Sequence, residues 1–334
     1  MKRYLPWVLR LLGPALLIYF LTTINLDQLL TILKEAKLWP ILLALVLMPP
    51  FIWIKAWRWQ QILKDMQIEL PLNTAAGLYT VGLFLGATTP GQAGDLVKAF
   101  YLRDRGAPLA PAMLSVVLDR LCDLLVMAII ASLSVFVFTQ FLPDPRLQTA
   151  LVVISCLAIL TATGLLLART PREWLMTSLL PKILPSKLSA ILARWQEQLS
   201  TLSLRLPLVV IMLISSLISA GFTFWRLWLL FLALGLDRVP LFTVMSVSAL
   251  IAVVQVLPIS FSGIGVRDGI LVSALHFYGY GPELAISLSL LFLLLNIEHI
   301  VVGFITSFWF PLGKAAEALQ KGDPGVQEAP QQTS

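Results

Sequence analysis

The sequence predicts an all-α, polytopic bundle of membrane-spanning helices, and three observations predict it. First, 58% of the 334 residues are hydrophobic and only 13% are charged. A soluble domain of this length has too little interior to hide that much apolar surface, whereas a bilayer can hide it. Second, the apolar residues fall in runs near the roughly 20 residues that a spanning helix needs. Third, the cations gather in alternate connecting loops, as orientation in a membrane requires.

Six full spans are read at 6–26, 39–57, 111–139, 149–168, 207–234 and 283–310. Lys2 and Arg3 precede the first. No small-x-small cleavage site follows it, so it is expected to remain as an uncleaved span rather than a signal peptide. Two more apolar stretches, 73–107 and 241–281, are interrupted by Pro and Gly and resume as charge-bearing helical segments. These are expected to be re-entrant hairpins, because broken backbone is tolerated at membrane depth only where protein or a wet cavity covers it. A full crossing would force the Lys98, Arg103, Asp104 and Arg105 flank into hydrocarbon at high cost.

With the N-terminus in the cytoplasm, the inside loops hold Lys2, Arg3, Lys55, Arg58, Lys64, Lys98, Arg103, Arg105, six cations of the 169–206 loop, Lys314 and Lys321. The outside loops hold only Lys34, Lys37, Arg146 and Arg238. This bias predicts an inner cell membrane protein with both termini cytoplasmic. Trp57 and Trp59 flank Arg58 in the manner of an interfacial anchor. In the 169–206 loop, Leu188, Ile191, Leu192, Trp195, Leu199 and Leu202 recur at helical spacing and predict a helix lying in the interface. A membrane domain over 1–313 and a disordered polar tail over 314–334 complete the organisation.

The two halves, roughly 39–139 and 207–310, share an order of parts: span, hairpin, then a span with internal charges. The topology enters one hairpin from each side, which is the plan of an inverted repeat with its substrate near the midplane. Pro90, Gly94, Asp95 and Lys98 stand at the first tip, and Pro258, Gly263, Gly265, Arg267 and Asp268 at the second. Helix starts there aim unpaired amides and a positive dipole end at the chamber, where a phosphate suits them. The plainer reading is that Asp95 and Asp268 cap helices and the glycines only permit packing.

Asp119, Arg120 and Asp123 form the charged core of a span. At 1.5 Å per residue from an entry near 111, the two acids lie about 12 and 18 Å deep in a layer about 30 Å thick. Such charges face a bundle interior and mark pathways or lock helices together. Arg120 can reach Asp123 at i,i+3. Glu298 and His299 sit mid-span, where an acid beside a histidine suits proton coupling. Arg226 is expected to snorkel outward.

Several classes of function are unsupported. The +6 net charge is spread through short loops rather than forming a nucleic-acid surface. Cys122 and Cys156 sit in apolar runs, and His276 and His299 are too few for a zinc cluster, so no metal is expected. The sequence has neither a Walker-type loop nor a His-Glu-x-x-His helix, and no cofactor or catalytic residue is assigned.

The motifs together resemble the flippase-like membrane domain of lysylphosphatidylglycerol synthases, which many small bacterial and archaeal proteins carry alone. Its Pro-x-x-Gly-Glu-x-x-Arg tip is similar to Pro90-Gly91-Gln92-Ala93-Gly94-Asp95-Leu96-Val97-Lys98. Its acid-Arg-x-x-Asp is similar to Asp119-Arg120-Leu121-Cys122-Asp123, and its Gly-rich second tip is similar to Pro258 through Asp268. Here Asp replaces Glu at both tips, Lys98 replaces an Arg and cannot form its bidentate fork, and Ser262 replaces a Gly. The resemblance implies a lipid flippase whose partner is a membrane lipid with an anionic or glycan headgroup, and not an enzyme, because the family's aminoacyl-transferase domain has no counterpart here.

The expected headgroup chamber is lined by Gly94, Lys98, Arg120, Gly265 and Arg267, between half-bundles that rock. The alternatives are a membrane-embedded lipid-modifying transferase using Asp119, Asp123 and Glu298, an ion-coupled carrier of a soluble anion, and an anchor acting through the 169–206 loop.

Overall fold

The computed structural model describes residues 26–87, 89–134, 205–256 and 265–310, with isolated positions between 145 and 160. Among the described residues every regular element is helical. The expected spans 6–26 and 149–168, the 169–206 surface helix, the 257–264 tip and the polar tail lie wholly or largely outside them.

Helix α1, Leu26–Glu35, carries Asp27 in its first turn and Lys34 in its last. That order complements the helix dipole at both ends. The sequence reading assigned no helix here. Helix α2, Leu38–Val46, and helix α3, Met48–Asp65, follow almost in line. Pro49 and Pro50 cause the break at Leu47, because proline lacks an N–H and its ring clashes with the carbonyl four residues back. Together they run 28 residues, about 42 Å at 1.5 Å per residue. The span read as 39–57 therefore continues to Asp65 as one apolar rod carrying internal charge.

Helix α4, Leu72–Ala87, leads into a 3-10 segment, Pro90–Leu96, and then helix α5, Val97–Asp104. The chain doubles back here. Thr89 Oγ1 donates to the Leu85 carbonyl at 2.8 Å and accepts from Gly94 N at 2.7 Å. A Cβ on Gly94 would lie 2.1 Å from Leu85 O, so only glycine lets the returning backbone approach this closely. Lys98 then lies back against Tyr79, with Nζ 3.9 Å from the ring centroid.

Helix α6, Leu109–Leu133, follows the β-region residue Pro108. Helix α7, Leu206–Ala233, has proline in its first turn, packs against α2, α3, α6, α8 and α10, and so occupies the centre of the bundle. Helix α8, Leu241–Val256, and helix α9, Val266–Phe277, also double back, since Thr243 at the start of one meets Tyr278 just past the end of the other at 2.7 Å. Helix α10, Pro282–Ser307, closes the described fold.

Three rods, Leu38–Asp65, Leu206–Ala233 and Pro282–Ser307, are long and apolar enough to cross a bilayer. Their outward faces leave Trp39, Leu42, Ile214, Leu217, Trp225, Phe304 and Ile305 exposed, which suits hydrocarbon as solvent. Lipid offers little hydrophobic drive between helices, so close packing must hold them. The tightest seam runs between α4 and α10, where a Cβ on Gly303 would lie 2.4 Å from Phe84 Cβ and 2.7 Å from Thr80 O. Gly303→Leu is expected to cost about 1–3 kcal/mol through overpacking. Thermal unfolding in detergent checks this, and an unchanged midpoint would contradict so close an approach.

Candidate functional site

Three elements bring charge to one place. Lys55 and Arg58 share a face of α3 at i,i+3, and Asp119 and Asp123 share a face of α6 at i,i+4. Arg58 is fully buried and all three of its nitrogens are engaged. Its Nε donates to Asp119 Oδ1 at 2.8 Å, its Nη2 to the Asp119 carbonyl at 3.2 Å, and its Nη1 to Asp123 and to Ser216 of α7. Lys55 Nζ donates to Asp123 Oδ2 at 2.6 Å. The Tyr79 hydroxyl donates to Asp119 Oδ2 at 2.9 Å. Buried charges survive only when paired and hydrogen-bonded to this degree.

The first hairpin supplies the remaining partners. Lys98 Nζ lies 3.0 Å from Asp95 and 3.6 Å from Asp119, over the rings of Tyr79 and Trp59. Arg120 donates through Nε to Asp95 Oδ2 and through Nη1 to Gln92 Oε1, both at 2.7 Å. Successive helical residues point about 100° apart, so Arg120 faces the hairpin while its neighbour Asp119 faces α3. The expected Arg120–Asp123 pair is thereby replaced by Arg120–Asp95 and by Lys55 and Arg58 on Asp123.

Three further corrections concern cations and their neighbours. Lys55 and Arg58, counted as cytoplasmic loop charges, sit in the buried network instead. The interfacial-anchor reading fails for Arg58 and Trp59, since Trp59 is fully buried and its Nε1 donates to Ser115 Oγ at 3.1 Å, while Trp57 remains exposed. Arg226 does not snorkel. It is buried, donates from Nε to the Ala44 carbonyl at 2.7 Å and pairs with Glu298 through Nη2.

A cavity of about 570 Å³ opens beside this network, a size suited to a small-molecule headgroup. Lys55, Asp95, Arg120 and Asp123 give the lining its charge, and Gln92 of the first hairpin with Thr223, Asn296 and His299 of α7 and α10 contribute neutral polar atoms. Leu83 and Met127 add apolar lining, and Ala252 brings the second doubled-back segment to its edge. Arg120, with a quarter of its side chain exposed, is the most open of the ion-paired groups here. Its Nη2 makes no hydrogen bond among the described residues. No group of His, Cys, Asp and Glu among them could hold a metal ion.

The other residues singled out from sequence are placed as follows. Gly94 packs on Leu85, and Pro90 begins the 3-10 segment. Lys98 and Asp119 are sealed behind the cavity wall. Asp268 accepts from Gly265 N at 2.9 Å and pairs with Arg267, whose Nη2 also donates to Ser289 of α10 at 2.8 Å. This pair is buried and lies off the cavity lining, so of the five expected lining residues the structure brings Arg120 to it. Pro258 and Gly263 lie outside the described residues.

His299 borders the cavity. Its Nδ1 meets the Leu295 carbonyl at 2.6 Å and its Nε2 meets Arg226 Nη1 at 3.4 Å. A carbonyl only accepts and a guanidinium only donates, so these partners select the neutral ring with its proton on Nδ1. Sequence reasoning missed Lys55, Arg58, Tyr79, Gln92 and Asn296 as site residues. The Lys55–Arg58 face was the one readable signal among them.

A family model described as "Lysylphosphatidylglycerol synthase TM region" matches residues 7–303. Two relatives are named UPF0104 membrane proteins. One, from Pyrococcus horikoshii, is 24% identical over 338 residues, covering 93% of this chain and 94% of the relative. The other, from Methanocaldococcus jannaschii, is 23% identical over 317 residues, covering 89% and 93%. With its apolar rods, its charge network buried between helices and a match over most of its length, this multi-pass membrane chain belongs to the lysylphosphatidylglycerol synthase TM region family.

Proposed function

We propose that this chain moves an anionic or glycosylated lipid between leaflets, taking the headgroup into the cavity while the tails stay in hydrocarbon. One observation carries the reading. The linked network holds four cations, Lys55, Arg58, Lys98 and Arg120, against three carboxylates, Asp95, Asp119 and Asp123. It therefore has one positive charge in surplus, and the guanidinium open to the cavity is Arg120. An anion entering there completes the balance, whereas a cation would meet repulsion inside a low-dielectric bundle.

Supporting observations concern architecture. Both the α4–α5 and α8–α9 stretches double back, in keeping with two re-entrant hairpins in an inverted repeat among six full spans. The cation bias favours an inner cell membrane orientation with cytoplasmic termini. The two carboxylates at the cavity, Asp95 and Asp123, are each held by two cations, which favours a transporter over a transferase needing a free base.

Purified protein reconstituted in liposomes with headgroup-labelled phospholipids tests the reading. Labelled phosphatidylglycerol is expected to reach the opposite leaflet faster than in protein-free vesicles, and faster than a labelled cationic lipid. Equal exchange with and without protein, or preference for the cationic lipid, overturns it.

A further inference from the structure

The α10 side of the cavity lining holds a polar group that the charge network leaves unused. Asn296 lies on α10 and lines the cavity. Among the described residues its Nδ2 is buried without a hydrogen-bond partner, and its Oδ1 makes no hydrogen bond either. An orphaned buried amide costs the desolvation of a donor, about 1–3 kcal/mol. Buried polar atoms in folded proteins are nearly always satisfied, and of the four orphans among the described residues Asn296 Nδ2 and Asp95 Oδ1 belong to side chains that line the cavity, where an absent partner would enter.

That partner's chemistry follows from the surroundings. Asn296 offers one donor group and one acceptor, which suits a hydroxyl able to accept and to donate in return. Its cavity neighbours carry no free charge. Thr223 Oγ1 donates to Ser219 O at 3.1 Å and keeps lone pairs free to accept, and His299 is engaged through both ring nitrogens. This part of the lining is polar but neutral, whereas the Lys55, Arg120 part carries the surplus positive charge.

We infer that the cavity is a two-part headgroup site, in which Arg120 holds a phosphodiester and the Asn296 amide holds a hydroxyl of a neutral polyol or sugar attached to it. The inference rests on the lipid-transport reading above and narrows its substrate to a lipid that is anionic and hydroxylated together. A bare phosphate headgroup fills one part only. A neutral glycolipid leaves the Arg120 charge unanswered.

The test measures binding separately from transport. Detergent-purified protein is titrated with dioctanoyl phosphatidylglycerol and with dioctanoyl phosphatidic acid, and Kd is read from the shift of the melting transition. The glycerol-bearing lipid is expected to bind about tenfold more tightly, the worth of one hydrogen bond to a buried group. Asn296→Leu should erase that preference while leaving phosphatidic acid binding within about twofold, and Arg120→Gln should weaken both lipids alike. Asn296→Ala serves the same purpose if the leucine variant fails to fold. Equal affinity of the wild type for the two lipids, or an intact preference in both Asn296 variants, overturns the inference. A tenfold preference in binding without any leaflet exchange would overturn the transport reading and leave the two-part site standing.

Discussion

Arg58→Met is expected to destabilise the folded protein by about 3–5 kcal/mol, because breaking one side of a buried ion pair strands its partners. Arg58 donates to Asp119, Asp123 and Ser216 from a position with no exposure, so its loss leaves carboxylates on α6 facing a thioether. Lys55 and Lys98 remain near them and soften the loss without replacing five N–H donors. The measurement is a thermal or denaturant melt of purified protein in one detergent. The triple variant Arg58→Met, Asp119→Asn, Asp123→Asn should recover part of the loss, since neutral amides tolerate the missing cation. A single variant as stable as the wild type, or a triple variant worse than the single, would refute the account of a network held by its central guanidinium.

Arg120→Ala has the opposite signature. It should lower the initial rate of lipid exchange by about 10- to 100-fold, the equivalent of one lost hydrogen bond from a charged donor. The fold should survive, since Asp95 keeps Lys98 at 3.0 Å and Arg120 already sits partly open. Exchange in liposomes and the melting temperature, measured on the same preparation, separate the two effects. Undiminished exchange would remove Arg120 from the substrate path, and a collapsed melting temperature would make it a structural residue instead.

Much of this arrangement was legible in the sequence, and the missing parts share a cause. Asp119, Arg120 and Asp123 announced themselves because charge deep in an apolar run has few explanations. The turn at Pro90–Gly94 was legible because proline and glycine break helices locally. Lys55 and Arg58 were hidden because a hydropathy window ends a span at its first cations, whereas α3 runs on to Asp65 and keeps them inside. Their partners on α6 lie more than 60 residues away in sequence, and no local rule encodes so distant a pairing. Tyr79 and Asn296 gave no signal, since one tyrosine or asparagine in an apolar helix is unremarked until its neighbours are known. Arg226 looked like a residue near a membrane surface because its acceptor, the Ala44 carbonyl, belongs to a backbone that only folding brings near.

Helix α10 belongs by sequence to the second half, yet it is fastened to both. Near its start Ser289 accepts from Arg267 of α9, and farther along Gly303 presses on Phe84 of α4. Just past its end the Phe310 carbonyl accepts from the Tyr101 hydroxyl of α5 at 2.5 Å. Ser289 and Gly303 are 14 residues apart, about 21 Å along the axis. A stiff lever of that length converts a tilt of about 10° at one fastening into a displacement of about 4 Å at the other. The boundary between the halves in sequence is therefore not a mechanical joint. On the proposed transport reading, a swing of one doubled-back segment would be carried to the other through this shared shaft.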